Sequence, residues 1–379
     1  MESEAQRLIA EGMAALEAHN PARAAPLLRE AARALPAAEM PWLALANAEM
    51  ALGEFDAAEA AIDRQLELDI RDIGALFMRG LLNERRGDHR AATNCYQAML
   101  NQAAAYGAPP ELAEPLAHAR RFVADAQKAY ADHLETSIGG NLSPLMRQAL
   151  DLLTGRAQLY LQQPSVFYFP GLPQRWFYER HEFPWLSGVL DLVPQMQEEL
   201  RAAAGDNGAG HDHFAPYVET QPGRPPANNP LRDDPAWGAC YFWRDGARQD
   251  AIADRCPATM AALDLAPMPR IPGRAPTALW SRLLPGAHIV PHHGLLNTRL
   301  ICHIPIRTAP GCTLRVGGET RSWEDGVPLI FDDSVEHEAR NQGDAARVVL
   351  LFEIWRPEIA AEDREAIGRL FRAIDSFGL

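Results

Sequence analysis

Three histidines, His292, His293 and His303, crowd into VPHHGLLNTRLICHIPI (290 to 306), and a fourth, His337, follows in FDDSVEHEARN (331 to 341). Arg347 comes ten residues after His337, at the head of the apolar run RVVLLFEIW (347 to 355). Imidazole nitrogens suit an iron that must keep open coordination positions. A guanidinium offers a carboxylate a planar fork that lysine cannot match. An arginine opening an apolar strand needs such a partner, because burying its charge unpaired is costly. These residue types fit a metal centre that also grips an organic acid. The alternative is a set of histidines in an ordinary polar turn and strand.

Positioning them falls to a series of short β-like runs: ALWSRLL (278 to 284), AHIVP (287 to 291), RLICHIPI (299 to 306), CTLRV (312 to 316), VPLIF (327 to 331) and RVVLLFEIW, with PG, GG and EDG turns between them. Many short strands at this spacing predict a β-sandwich or barrel of the jelly-roll kind, whose mouth gathers strand ends around a small ligand. Side chains alternate along a strand, so register decides whether His292 or His293 faces that mouth. His288 and His292 have a spacing that pairs metal ligands on a helix but is coincidental in a strand. The HDH at 211 to 213 lies in a Gly-rich loop and reads as solvated. Asp332, Asp333, Glu336 and Glu338 read as a solvated turn, or as a source of a carboxylate (Asp333 or Glu336) that orients His337 from behind.

The N-terminal third is organised differently. NPARAA (20 to 25), GEFDAA (53 to 58) and GDHRAA (87 to 92) recur at intervals of 33 and 34 residues, each between two Ala/Leu-rich stretches of helical spacing. The pattern resembles a tetratricopeptide array, in which small residues let the two helices of a repeat approach and a glycine takes the turn. Such arrays present a groove to a polypeptide. Helical character continues through 111 to 137 and 143 to 162, and composition shifts to Pro, Gly and aromatics from about 164. We expect a helical repeat domain over 1–138 and a β domain over 139–379, with the Pro-rich loop 221–235 a candidate lid.

Composition narrows the partners. A net charge of −14 over 379 residues argues against nucleic acid, which basic patches grip. The five cysteines lack any C-x-x-C pairing, which fits a reducing cytoplasm. No stretch reaches the ~20 apolar residues that a membrane span needs, and the N-terminus has no apolar leader core.

The C-terminal half resembles the aspartyl/asparaginyl β-hydroxylase family of Fe(II)- and 2-oxoglutarate-dependent oxygenases. The resemblance is carried by LPGAHIVPHHGLLN (284 to 297), WEDGVPLIFDDSVEHEA (323 to 339) and IWRPEI (354 to 359), with FYFPGLPQRWF, FPWL, YFWRDG and RCPATMAAL in matching order from about 164. It implies a double-stranded β-helix in which His292 and His337 are the iron ligands and Arg347, assisted by Ser281, binds the distal carboxylate of 2-oxoglutarate. His303 would lie near the proximal carboxylate. Gly294 stands where most oxygenases of the class carry a third, carboxylate ligand. Where the family commonly reads LRxH this chain reads LICH, so Ile301 replaces an arginine, and Arg299 on the same strand face is its candidate substitute.

The expected architecture is thus α+β and multidomain, a tetratricopeptide array followed by a jelly-roll oxygenase domain. The implied reaction couples decarboxylation of 2-oxoglutarate, with O2, to β-hydroxylation of an Asp or Asn in a peptide, a protein or a small amino-acid-derived substrate. The alternative is a peptide-binding module whose cupin-like domain is inert; the intact set of His292, His337 and Arg347 favours the enzyme.

Overall fold

The computed structural model describes residues 4–204, 213–220 and 229–377. His211 and Asp212, and residues 221–228 of the candidate lid, lie outside them. The chain divides into two compact units, Met1–Arg156 and Ala157–Leu379.

The first unit is helical: α1 (Glu4–Glu17), α2 (Pro21–Ala34), α3 (Trp42–Leu52), α4 (Phe55–Leu68), α5 (Ile73–Arg85), α6 (His89–Tyr106), α7 (Ala113–Ile138) and α8 (Pro144–Leu153). α1 and α2, α3 and α4, and α5 and α6 pair as hairpins, with the recurring hexapeptides at their turns. Short polar side chains start these helices by accepting otherwise orphaned backbone N–H groups: Asn20 from Arg23, Asp72 from Ala75 and Asp88 from Ala91. Gly53 ends α3 with φ +79°, a left-handed conformation that other residues adopt at a cost. Small residues set the interhelix distance. A Cβ on Gly80 of α5 would come within 2.3 Å of the Tyr96 ring of α6, and Ala46, Ala58 and Ala92 are wholly buried.

The second unit is a two-sheet sandwich backed by helices. Its strands are β1 (Phe177–Tyr178), β2 (Ala215–Pro216), β3 (Trp237–Arg244), β4 (Ala247–Arg248), β5 (Ala278–Leu283), β6 (His288–His292), β7 (Arg299–Arg307), β8 (Cys312–Val316), β9 (Glu319–Ser322), β10 (Leu329–Phe331), β11 (His337–Asn341) and β12 (Arg347–Trp355). The larger sheet runs β1-β10-β7-β12-β5-β3-β2, with β4 beside β3, and the smaller runs β6-β11-β8-β9. These antiparallel strands make the jelly-roll expected from the sequence.

Alternation along the central strands sorts residues between two cores. On β12, Val348, Leu350, Phe352 and Ile354 face the core shared with helices α9 (Leu186–Asp191), α10 (Val193–Ala204), α11 (Asp250–Ala253) and α12 (Pro257–Leu265). Val349 and Leu351 face the core between the sheets. Arg347 and Glu353 share the phase of Val349 and Leu351, so both charges belong to the inter-sheet face. Leu300, Cys302 and Ile304 of β7 likewise turn to the helices and Ile301 turns inward, which puts Arg299 and His303 on the inner face too. A last helix, α13 (Ala361–Ser376), packs Ile367 and Phe371 against Leu172, Ile271 and Ile359.

Prediction for the helical unit: Gly80→Leu has no room beside Tyr96 and should cost about 1–3 kcal/mol. The check is urea unfolding of the full chain followed by far-UV circular dichroism. An unchanged helical transition would mean that α5 and α6 do not meet at this point.

Candidate active site

His292 closes β6 and His337 opens β11, directly opposite one another, with ring centroids 4.1 Å apart. Ala339 then pairs with Ile289 and Arg340 with His288, so between the first two pairs two residues of β6, Val290 and Pro291, answer the single Glu338 of β11. This bulge decides the choice between neighbouring histidines, because an extra residue reverses the facing of all that follow it. His292 turns inward to His337. His288, in the even phase that a regular strand would share with His292, instead stays on the outer face and pairs with Glu338 at 2.7 Å.

Each inward histidine is oriented by the backbone of its own strand or approach loop. His292 Nδ1 donates to Val290 O at 2.8 Å and His337 Nδ1 to Val335 O at 3.0 Å. With the proton fixed on Nδ1, each Nε2 keeps the lone pair that a metal requires. Burial, reinforced by the His292 ring, holds His337 far below the usual imidazole range, at about 3, so it is neutral at any working pH. The expectation that Asp333 or Glu336 orients His337 is therefore corrected: a carbonyl does so, and Glu336 pairs with Arg315 at 2.8 Å.

Nor is the acidic run a solvated turn throughout. Asp332 is fully buried and Asp333 nearly so, because both are needed inside. The Asp333 carboxylate fills the place that a side chain at Gly294 would take: a Cβ there would lie 2.1 Å from Asp333 Oδ2. Gly294 N donates to Asp333 O at 2.6 Å, which locks the two loops together. Burial raises the Asp333 carboxyl despite the nearby Arg299. Among the described residues no three or more His, Cys, Asp or Glu side chains converge as a metal site, so the donor set on offer is the histidine pair.

Arg347 lies in the same inter-sheet space. It is 1% exposed, donates Nη1 to Ser281 O at 3.2 Å and lies 4.5 Å from the centre of the Trp323 ring. Its Nε has no partner, and no carboxylate of the described residues pairs with it. Burial pulls its guanidinium down to about 10. A buried cation without a counter-ion is a receptor for an anion. Ser281, directly across from Val349, accepts from Trp237 Nε1 at 3.4 Å. His303 accepts from Trp323 Nε1 on Nδ1 at 3.3 Å, which leaves its proton on an unpartnered Nε2. Burial first, then Arg347 and His337, keeps that ring neutral. Its spare N–H is a second donor suited to a carboxylate.

Arg299 does not stand free on this face as a replacement for an arginine at 301. Its guanidinium is held by Glu353 and, at 3.2 Å, by Asp333, the two carboxylates that hold its charge above the usual value against burial. Trp237, stacked on Tyr217 with centroids 4.0 Å apart, and Phe331, 5.6 Å from His337, complete the aromatic lining.

The bulge-set histidine pair, the orphan arginine and the glycine filled by a carboxylate all lie in one segment that is similar to known proteins. Residues 193–357 match the family model described as Aspartyl/Asparaginyl beta-hydroxylase. The match covers that segment, which is under half of the chain. The human aspartyl/asparaginyl beta-hydroxylase is 32% identical over 144 residues, which are 38% of this chain but 19% of that protein. The mouse aspartate beta-hydroxylase domain-containing protein 1 is 28% identical over 263 residues, 67% of this chain and 68% of its own length. The chain therefore spans about a fifth of the human enzyme and about two thirds of the mouse relative. Among solved structures, the Sgt2 TPR domain from Aspergillus fumigatus is 22% identical, with a TM-score of 0.29 over 33% of this chain and 82% of its own. A cupin domain from Bordetella pertussis is 24% identical, with a TM-score of 0.19 over 23% of this chain and 88% of its own.

The β unit is closed by a polar network that the sequence did not reveal. Arg356, fully buried at the end of β12, donates to Asp332 Oδ2 at 2.7 Å and to Pro173 O at 3.0 Å, and it also bonds the Tyr178 hydroxyl. Gln162 Nε2 donates to the same Asp332 oxygen at 2.7 Å, and Ser334 caps the other through N and Oγ. Asn297 Nδ2 donates to Gln162 Oε1 at 3.0 Å. The chain just after His292 and the chain just before His337 are thereby tied to one ion pair. Gln162, Pro173 and Tyr178 lie ahead of the matched segment and are still part of what holds it. Burial outweighs Arg356 and raises the Asp332 carboxyl to about 6.

Prediction for the network: Arg356→Met strands the Asp332 carboxylate and should cost about 3–5 kcal/mol at neutral pH. The Asp332 folded value already lies above its ordinary 3.8, so its contribution is favourable when protonated and is lost as pH rises through about 6. The loss in Arg356→Met should therefore shrink in acid, and adding Asp332→Asn should restore part of it. Thermal unfolding from pH 5 to 8 provides the check, and a pH-independent loss would contradict the ion-pair account.

Proposed function

We propose that this chain is an Fe(II)- and 2-oxoglutarate-dependent dioxygenase that hydroxylates the β-carbon of an Asp or Asn in a peptide, a protein or a small amino-acid-derived substrate. The observation that carries the reading is Arg347: a buried guanidinium with no acid partner, on the same inner face as His303 and opposite the sheet that bears His292 and His337. An inert cupin-like domain would have no use for an uncompensated charge.

In this reading His292 and His337 hold the iron through Nε2. Iron and 2-oxoglutarate, when bound, supply the oxidation of an unreactive C–H bond by O2, with succinate and CO2 as coproducts. The chain does the rest. Arg347, with Ser281 beside it, binds the distal carboxylate through the planar fork, and the His303 Nε2–H donates near the proximal one. The Val290 and Val335 carbonyls fix both imidazole tautomers before any metal arrives. Arg299 acts at one remove, by holding Asp333 over Gly294, the position where most oxygenases of the class place a ligating carboxylate. Trp323, Phe331 and Trp237 exclude water from the reacting groups. The helical repeats offer a surface for recruiting a polypeptide. The described chain contains no helix long and apolar enough to cross a membrane, and its five unpaired cysteines support a reducing compartment such as the cytoplasm.

Prediction for the cosubstrate site: anaerobic Fe(II) followed by 2-oxoglutarate should produce the visible metal-to-ligand charge-transfer band of chelated 2-oxoglutarate. His337→Ala should abolish the band, and Arg347→Ala should raise the 2-oxoglutarate concentration needed for it by roughly tenfold or more, since a charge-assisted pair is lost. A wild-type protein that binds iron and shows no band would overturn the reading.

A further inference from the structure

The inner face of the larger sheet is a lattice whose rows follow from the strand register. One row reads Phe331, Ile301, Glu353, and the next reads Leu329, His303, Leu351, Leu279, Tyr241. Then come Pro305, Val349, Ser281 and Ala239, and finally Arg347 with Leu283 and Trp237. The two arginines of this face stand at opposite ends. Arg347 has no acid partner and is taken by the cosubstrate in the reading above. Arg299 is the only other cation among these face residues, and Glu353 and Asp333, 2% and 5% exposed, are both bound to it. Glu353 is held independently by the Thr277 N–H at 2.8 Å, so it is not free to swing away. Even with Asp333 protonated, Glu353 alone cancels the charge of Arg299. Between the two ends the wall carries no charge: Ile301, Leu279 and Leu351 are aliphatic, and His303 and Ser281, the polar groups nearest Arg347, go with the cosubstrate in the reading above. At 301, where the family motif places an arginine, a buried isoleucine packs among Phe331 and its neighbours.

We infer that the target side chain of this enzyme carries no negative charge, that a carboxamide is taken over a carboxylate, and that Ile301 and the Arg299–Glu353 pair set this preference. The inference rests on the oxygenase reading of the site. A carboxylate brought to this wall would meet two buried carboxylates, one guanidinium already bound to them and three aliphatic side chains. With the His303 N–H and Arg347 already given to the cosubstrate, it would lose its hydration without a new cationic partner and would face like charges at close quarters. An amide has no such charge to lose.

The test uses the full-length protein loaded with Fe(II) and 2-oxoglutarate and two pools of short degenerate peptides, one with Asn and one with Asp fixed at the centre. The readout is the mass gain of one oxygen. Wild type should oxidise the Asn pool at least about tenfold faster than the Asp pool. Ile301→Arg should narrow or reverse that ratio by about tenfold. Glu353→Gln, which is isosteric and frees Arg299 from one partner, should move it the same way without placing a charge in the core. The charge-transfer band of chelated 2-oxoglutarate reports in each variant that the site is intact. Equal or faster oxidation of the Asp pool by wild type overturns the inference, as does a ratio that neither variant moves. If the band forms and neither pool is oxidised, the inference falls while the oxygenase reading stands. If the band never forms, the oxygenase reading itself has failed.

Discussion

The ion pair between Arg356 and Asp332 is what the rest of the β unit depends on. Both residues are fully buried, and an arrangement of this kind is stable only when every donor and acceptor is answered. The answers come from far apart in the sequence: Gln162, Pro173 and Tyr178 on one side, Ser334 and Asn297 on the other. Asp332 sits one residue before Asp333 and five before His337, and Asn297 sits five after His292. The network thus anchors the loop that follows His292 and the loop that precedes His337, so the histidine pair inherits its precision from a cluster that lies apart from it.

A second constraint is the division of β12, β7 and β5 into two faces. Apolar residues of one phase seal against the helices. Residues of the other phase face the smaller sheet, and there the chain has placed its buried charges at the two ends of an otherwise uncharged field. One end, at Arg347, is short of negative charge; the other, at Arg299, Glu353 and Asp333, has enough of its own. Desolvation makes this asymmetry matter. In water the difference between a free and a paired guanidinium would be slight, whereas between two sheets it makes the Arg347 end the one with an unmet demand for an anion.

Much of this was legible in the sequence. The three Ala-rich hexapeptides gave the helical hairpins, and apolar runs with turn signals gave the strands. His292, His337 and Arg347 stand out by residue type and spacing, Ser281 and His303 only through the family resemblance, and the fold brings all five to the space between the sheets. The bulge in β6 was not legible: it selects His292 over its neighbour through one extra residue in a pairing that only the folded register reveals. Asp332 and Asp333 read as solvent-loving because acidic residues usually are. Their partners, Arg356 and Arg299, lie 24 and 34 residues away, and nothing local announces the pairing. Arg299 was expected to substitute for the arginine absent at 301, a guess based on strand face alone. The face was right, but the guanidinium is spent on two carboxylates, which spacing could not show.

The central claim is that the fold holds His292 and His337 as a pair with Nδ1 satisfied by carbonyls and Nε2 left for a metal. Anomalous diffraction from crystals soaked with Mn(II) tests it most directly. The account predicts one strong peak within bonding distance of His292 Nε2 and His337 Nε2, with both Nδ1 atoms still on the Val290 and Val335 carbonyls. A peak at His288 or His293 instead, or a metal bound through Nδ1, would contradict it.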